Sequence, residues 1–183
     1  MSFIYKLGVM LALILGSLLG AAQSKSEKLY TLFEGKDGFT VVGFSKSIMK
    51  PFDIFLDNES KRVLYKMERV KFMSYNDWNG KLSAEDVYNR ISKTLNSDEY
   101  FEIDATNLSG KNASVSWDGD PEDVRFIGRG TNERMDEFHI VTLDQNRTFF
   151  ISFYGDIRIE DLDGFTSMNR SIGNFSFQVK TTH

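Results

Sequence analysis

The sequence predicts an α+β fold, a single domain with a mainly antiparallel sheet and helices packed on one face. Short β-branched or aromatic runs bounded by turn residues crowd the second half of the chain, whereas helix signals occur near its start and at its end. No linker rich in proline, glycine or serine divides residues 23–183. The 183 residues less the first 22 leave 161, enough for one hydrophobic core.

Residues 1–22 are predicted to be a secretory signal peptide. Lys6 precedes an apolar run of 13 residues (7–19, LGVMLALILGSLL), and the small residues GAA follow at 20–22. The run is shorter than the roughly 18 residues of a membrane-spanning helix, which favours cleavage after Ala22 over an uncleaved anchor. We therefore expect a protein exported to the periplasm or the extracellular space, soluble and without a membrane anchor after cleavage.

The first part of the mature chain is predicted to alternate between helix and strand. A short helix over residues 27–33 precedes a β-rich run at 39–44 (FTVVGF). Ser45 then caps a helix that extends to residue 56, and Pro51 inside it predicts a kink.

Residues 62–75 alternate in polarity and predict one long strand. The alternation changes phase near Glu68, which indicates a bulge. The next helix begins after Ser83, an N-cap residue, and its apolar residues recur at four-residue spacing. We expect this helix to pack on the sheet.

The rest of the chain is predicted to be mostly strands. A turn at residues 144–147 joins two apolar runs as an antiparallel hairpin, and a final helix covers residues 159–168. The predicted strands are residues 100–105, 114–117, 124–128, 137–143 and 148–154.

Composition excludes several function classes. The formal charge of −4, which becomes −5 once Lys6 leaves with the signal, argues against nucleic-acid binding. The chain has no cysteine, so it has no disulfide, thiolate chemistry or lipid-attachment residue. Its two histidines, His139 and His183, are too few for a three-histidine zinc site. Since phosphate-loop, nucleophile-elbow and H-E-x-x-H motifs are also lacking, no cofactor is predicted and a non-catalytic role is favoured.

Carboxylate residues at several places in the sequence suggest alternative functions. Asp118, Asp120, Asp156 and Glu160 are candidates for a hydrolase or a carbohydrate-binding module, provided that at least two converge in one cleft. The acidic run at residues 117–123 (WDGDPED) could bind calcium, but it departs from the EF-hand pattern and is better interpreted as a solvated turn.

The loop at residues 75–80 (YNDWNG) is the candidate binding surface. It places Tyr75 and Trp78 among Asn, Asp and Gly, a composition typical of exposed loops, and exposed aromatic side chains favour contacts with a partner. The alternative is that Trp78 caps the edge of the core, and the sequence leaves both interpretations open.

With these segments identified, the chain resembles DUF4252, a family of uncharacterised exported proteins of Bacteroidetes. The resemblance rests on the exported N-terminus, on FTVVGFSKSIMKPF from residue 39, on FFISFYGDI from residue 149 and on IRIEDLDGF from residue 157. It implies a lineage and a compartment across nearly the whole mature chain, and it implies no catalytic residues.

The sequence therefore predicts an exported soluble protein of the cell envelope. We expect a non-catalytic module that binds another envelope protein, in a sensing or regulatory role, through Tyr75 and Trp78. A carboxylate-dependent hydrolase and a carbohydrate- or calcium-binding module remain the alternatives.

Overall fold

The structure, a computed structural model, describes residues 23–56, 58–104, 113–117, 123–131, 133–162 and 177–181. The helices in this part of the chain are α1 (Lys25–Phe33), α2 (Lys46–Met49), α3 (Asn58–Lys66) and α4 (Ala84–Leu95). The strands are β1 (Phe39–Ser45), β2 (Met67–Asn76), β3 (Tyr100–Glu102), β4 (Ala113–Trp117), β5 (Asp123–Gly130), β6 (Met135–Asp144), β7 (Arg147–Ile157) and β8 (Phe177–Thr181). The described residues also include the 3-10 segments Lys50–Phe55, Asp77–Asn79 and Ile159–Asp161.

Six strands form one antiparallel sheet in the order β1-β2-β7-β6-β5-β3, and β4 pairs with β8 in a separate two-stranded sheet. The predicted α+β class is confirmed. The predicted hairpin is also present: β6 and β7 are joined through Gln145 and Asn146, and the positive φ of Gln145 (41°) suits a tight hairpin turn.

Helices α1 and α4 pack on one face of the sheet, which we call the first face. Helix α4 begins at the predicted cap, since Ser83 and Asp86 form a reciprocal capping box. Glu27 anchors α1 to β2 through Arg69 at 2.7 Å and Lys71 at 2.5 Å. The buried core between these helices and the sheet contains Leu29, Tyr30, Phe33, Met73, Tyr75, Ala84, Val87, Tyr88, Ile91, Leu95, Tyr100, Ile127, Val141, Leu143 and Phe150.

Helix α3 packs on the opposite, second face, a layer that the sequence prediction did not include. Residues 62–66 were expected to be strand but are helical, because the adjacent residues Val63 and Leu64 are both buried against this face, whereas neighbours in a strand point to opposite faces. Strand β2 therefore starts at Met67, and a register shift between Met67 and Arg69 confirms the predicted bulge.

The helix after β1 and the helix after β7 also differ from the sequence prediction. Ser45 precedes α2 but makes no side-chain capping bond, and the helix continues after Met49 as the 3-10 segment that contains Pro51. Of the predicted final helix, the structure describes one 3-10 turn, Ile159–Asp161, and the predicted continuation lies outside the described residues. The predicted signal peptide also lies outside them. In the described ranges, no helix has the length and apolarity needed to span a membrane.

Candidate functional site

Trp78 lies at the surface, on the loop that joins β2 to α4, and the residue is 79% exposed. Backbone contacts hold this loop. The Trp78 N–H donates to Asn76 Oδ1 at 3.0 Å, and the Asp77 N–H donates to the Asn146 carbonyl oxygen at 3.1 Å. Because these bonds fix the 3-10 turn Asp77–Asn79 against the β6–β7 hairpin, the indole projects from an ordered backbone.

Tyr75, the other predicted binding residue, belongs to the core and is 1% exposed. Its hydroxyl donates to the Leu82 carbonyl oxygen at 2.6 Å and accepts from the Leu82 N–H at 2.9 Å. Its ring contacts Phe39, with 4.4 Å between the centroids. Residues two apart on a strand share a face, so Tyr75 points inward with Met73. The expectation that Tyr75 contacts a partner is therefore corrected: Tyr75 anchors the loop that carries Trp78.

Two shallow pockets lie at this end of the sheet, and Asn76 and Arg147 border both of them. The larger, of about 480 Å³, lies beside the start of β1 and Phe149. The smaller, of about 390 Å³, is bordered by the indole itself. We call the lining of the smaller pocket the Trp78 surface; it consists of Asn76, Trp78, Asp144, Gln145, Asn146 and Arg147.

Arg147 gives the Trp78 surface its charge pattern. Its Nη2 donates to Asp144 Oδ2 at 3.0 Å, and its guanidinium lies 5.8 Å from the centroid of the Phe149 ring. The surface therefore offers an indole, an oriented arginine and the amides of its Asn and Gln residues. These groups stack and form hydrogen bonds. The one carboxylate of the surface, Asp144, is paired with Arg147, and the other five residues have no side chain that could attack a substrate.

A second polar group of residues lies on the first face, with Glu137 at its centre. Glu137 Oε1 accepts from Arg129 Nη1 at 2.7 Å. Glu137 Oε2 accepts from Ser26 Oγ at 2.6 Å and from the Tyr100 hydroxyl at 3.3 Å. His139 Nε2 lies 3.2 Å from the same oxygen, although without the alignment of a hydrogen bond. Helix α1 thus contributes to this group through Ser26.

The group continues from His139 toward α1. His139 Nδ1 and Ser152 Oγ are hydrogen-bonded at 2.8 Å, and the Tyr30 hydroxyl donates to Ser152 Oγ at 2.9 Å. The Tyr154 hydroxyl and Ser26 Oγ are 3.0 Å apart. We call these residues the Glu137 network: Ser26, Tyr30, Tyr100, Arg129, Glu137, His139, Ser152 and Tyr154.

The network holds a charged carboxylate beside a neutral imidazole. Burial by itself raises the pKa of Glu137, but the His139 ring and the Ser26 hydroxyl outweigh it and lower that pKa to about 2. Burial lowers the pKa of His139, and the nearby Glu137 carboxylate opposes that shift without cancelling it. Burial and the Glu137 charge raise the pKa of Tyr100 to about 12.

The order Ser152, His139, Glu137 matches the nucleophile, base and acid of a hydrolytic triad. Ser152 and His139 are fully buried beneath α1, however, and Glu137 is almost so. Because a substrate has to reach the nucleophile, this arrangement suits a structural role, in which paired polar groups join α1 to the sheet.

The carboxylates proposed for hydrolysis are only partly described. Asp156 pairs with Arg134 at 2.7 Å and Glu160 with Arg158 at 3.5 Å, so each has its own arginine partner at the surface. Asp118 and Asp120, together with most of the proposed calcium segment, lie outside the described residues. Within the described ranges, no group of three His, Asp or Glu side chains is placed to hold a metal ion.

Sequence reasoning missed the Glu137 network. One signal was present: Glu137 and His139 are two residues apart in a predicted strand whose remaining residues are mostly apolar, so both point toward the same face. A carboxylate and an imidazole on the buried side of a strand require partners. The sequence does not show that these partners come from α1, β3, β5 and β7.

The fold and the Trp78 surface define a single-domain α+β protein that exposes an aromatic residue at one end of its sheet. The chain belongs to the family described as Domain of unknown function (DUF4252), whose model matches residues 33–165 and confirms the predicted family membership. The match starts at the last residue of α1 and includes both Trp78 and Glu137. Comparison with curated proteins finds no match, and comparison with solved structures finds none.

Proposed function

We propose that this chain is an exported, non-catalytic module of the cell envelope that binds another protein through the Trp78 surface. The observation that carries the proposal is the 79% exposure of Trp78 on a loop whose backbone is fixed by hydrogen bonds. Leaving an indole in water forgoes the free energy of its burial, and tryptophan is among the residues most enriched at binding hot spots.

The neighbours of Trp78 support a protein partner. Arg147 lies in the same pocket lining, and arginine and aromatic residues are the residues enriched at interfaces. Arg147 is also held by Asp144, so less side-chain entropy is lost when it contacts a partner. The fixed backbone of the Asp77–Asn79 turn lowers the cost of ordering in the same way.

The export part of the proposal rests on residues 1–22 of the sequence. Cell fractionation followed by N-terminal sequencing tests it. We expect the protein in the periplasm or the medium, with Gln23 as its first residue. An unprocessed N-terminus in the cytoplasmic fraction would contradict export and leave the binding proposal to be tested separately.

Binding is tested by in-cell crosslinking of the tagged protein and mass spectrometry of the co-purified proteins. Trp78→Ala is compared with Ile54→Ala, which truncates another exposed apolar side chain outside the Trp78 surface. We expect one reproducible partner with the wild type and with Ile54→Ala. With Trp78→Ala its affinity should fall roughly 30-fold, the effect of about 2 kcal/mol at a hot spot. Equal recovery with both variants would refute the proposal.

A further inference from the structure

Strand β1 is an edge of the six-stranded sheet, and no described strand pairs with its outer side. The Gly38 carbonyl oxygen accepts from the Asn76 N–H at 3.0 Å, which identifies a hydrogen-bonded position next to β1. Such positions alternate along an antiparallel pair. With the observed register, residues 40, 42 and 44 direct their backbone groups toward β2, whereas residues 41, 43 and 45 direct theirs outward.

The sequence of strand β1 itself has none of the features that normally block strand pairing. Strand β1 is seven residues long, contains no proline or charged residue, and pairs with β2 without a register shift. The opposite edge, β3, has three residues and includes Glu102, which forms an ion pair with Arg125 at 2.9 Å. Short and charged edges resist pairing, whereas long apolar ones favour it. Of the two edges of the six-stranded sheet, β1 is thus the one suited to accept another strand.

The side chains of β1 add an apolar strip beside its free backbone groups. Val42 is 38% and Phe44 is 42% exposed, and both lie on the second face with Phe72. A strand paired to β1 would cover part of this strip with its own side chains.

We propose that two copies of this chain pair through β1, antiparallel about a two-fold axis, so that two six-stranded sheets become one of twelve strands. Full overlap of Phe39–Ser45 places Val42 opposite Val42 of the second copy and Thr40 opposite Phe44 of the second copy. The contact is self-complementary, as a two-fold interface has to be.

Charge at the two ends of β1 favours a second copy over an unrelated strand. Asp37 lies just before the strand and Lys46 just after it, and neither is buried. Within the chain they form surface ion pairs, Asp37 with Lys81 at 3.3 Å and Lys46 with Glu68 at 3.4 Å, and exposed pairs of this kind contribute little to stability. Antiparallel pairing about a two-fold axis brings Asp37 of each copy toward Lys46 of the other, whereas parallel self-pairing brings like charges together. The edge therefore matches its own sequence at both ends.

Analytical ultracentrifugation of the mature chain tests the proposal with a matched pair of variants. Gly43→Pro removes an N–H that points outward and has no role in the β1–β2 pairing, so the fold should persist by circular dichroism. Gly43→Ala keeps that N–H, and its Cβ meets no heavy atom closer than 3.8 Å. We expect a dimer for the wild type and for Gly43→Ala. Gly43→Pro should dimerise roughly 30-fold more weakly, because two hydrogen bonds are lost across the two-fold axis.

The register is tested with single cysteines, which the absence of native cysteine makes unambiguous. Val42→Cys should oxidise to a disulfide-linked dimer, because residues in a non-hydrogen-bonded pair have the closest Cα atoms. Ile54→Cys, exposed but outside β1, should remain a monomer after denaturation. A wild-type monomer up to about 100 μM, which excludes all but weak association, would overturn the proposal. So would a folded Gly43→Pro variant that dimerises like the wild type, or faster crosslinking at position 54.

Discussion

Replacing Glu137 by Gln is expected to remove part of the acid sensitivity of the fold. The pKa of Glu137 is about 2 in the folded protein, against 4.5 for an ordinary glutamate. At ~1.4 kcal/mol for each pKa unit, this difference corresponds to about 3 kcal/mol of stability. Since the folded-state pKa is the lower one, the contribution is present in full above pH 4.5. It is lost as the pH falls from 4.5 to about 2.

Urea unfolding followed by far-UV circular dichroism between pH 7 and pH 2 measures this effect. Glu137→Gln keeps the size of the side chain but leaves Arg129 and His139 without a carboxylate, so the variant should be about 3 kcal/mol less stable than the wild type at pH 7. The two stability curves should converge toward pH 2, where the wild-type carboxylate takes up its proton. His139 is present in both proteins, but its pKa is lower in the variant, because the Glu137 carboxylate that raises it is gone.

Glu160→Gln is the matched control, because this carboxylate is 69% exposed and pairs with Arg158 only at 3.5 Å. We expect its curve to follow the wild type within about 0.5 kcal/mol. Parallel curves for Glu137→Gln and the wild type down to pH 2 would refute the assigned role of the Glu137 charge.

Three further substitutions test local contacts, each by its free energy of unfolding in urea. Ser83→Ala should cost about 1 kcal/mol, because α4 loses its N-cap bond, and Ser83→Thr should restore most of it. Gly155→Ala should cost about 3 kcal/mol or more, because the added Cβ meets the Lys66 carbonyl oxygen, and a neutral effect would show that the backbone moves freely there. Tyr75→Phe should cost about 1–3 kcal/mol, because Leu82 loses both hydrogen bonds with the Tyr75 hydroxyl, and an unchanged stability would mean that water replaces them.

Elements with strong local signals were predictable. Helix α4 begins at Ser83 because its cap and its apolar spacing lie within one short segment. The β6–β7 hairpin follows from two apolar runs around a short turn. The strand prediction for residues 62–66 was wrong because their apolar pattern fits both a strand and a helix. Val63 and Met67 would share one face of a strand, and they also lie about one helical turn apart. The structure is helical because Leu64 and its neighbour Val63 are both buried on the second face. This burial depends on tertiary packing, which the local pattern does not show.

The candidate site was predictable only in its exposed part. Loop composition indicated an exposed loop but left open whether Trp78 caps the core edge, and it could not show that Tyr75 is the last inward-pointing residue of β2. The Glu137 network was not predictable, because Ser26 and Ser152 are brought to Glu137 and His139 by packing of segments far apart in the chain.

Stability of the Trp78→Ala variant should be unchanged within about 0.5 kcal/mol, because the indole is exposed and the loop is held by backbone bonds. Any loss of binding in this variant can then be assigned to the surface rather than to unfolding. A loss of several kcal/mol would instead assign Trp78 to the core edge.

The most direct measurement places a photoreactive amino acid at position 78 and, in a control strain, at position 54. Both positions are exposed, at 79% and 73%. After irradiation of intact cells, mass spectrometry identifies the proteins attached at each position. The account predicts one protein attached at position 78 and not at position 54. Attachment of the same proteins at both positions, or of none at position 78, would contradict a partner-binding role for the Trp78 surface.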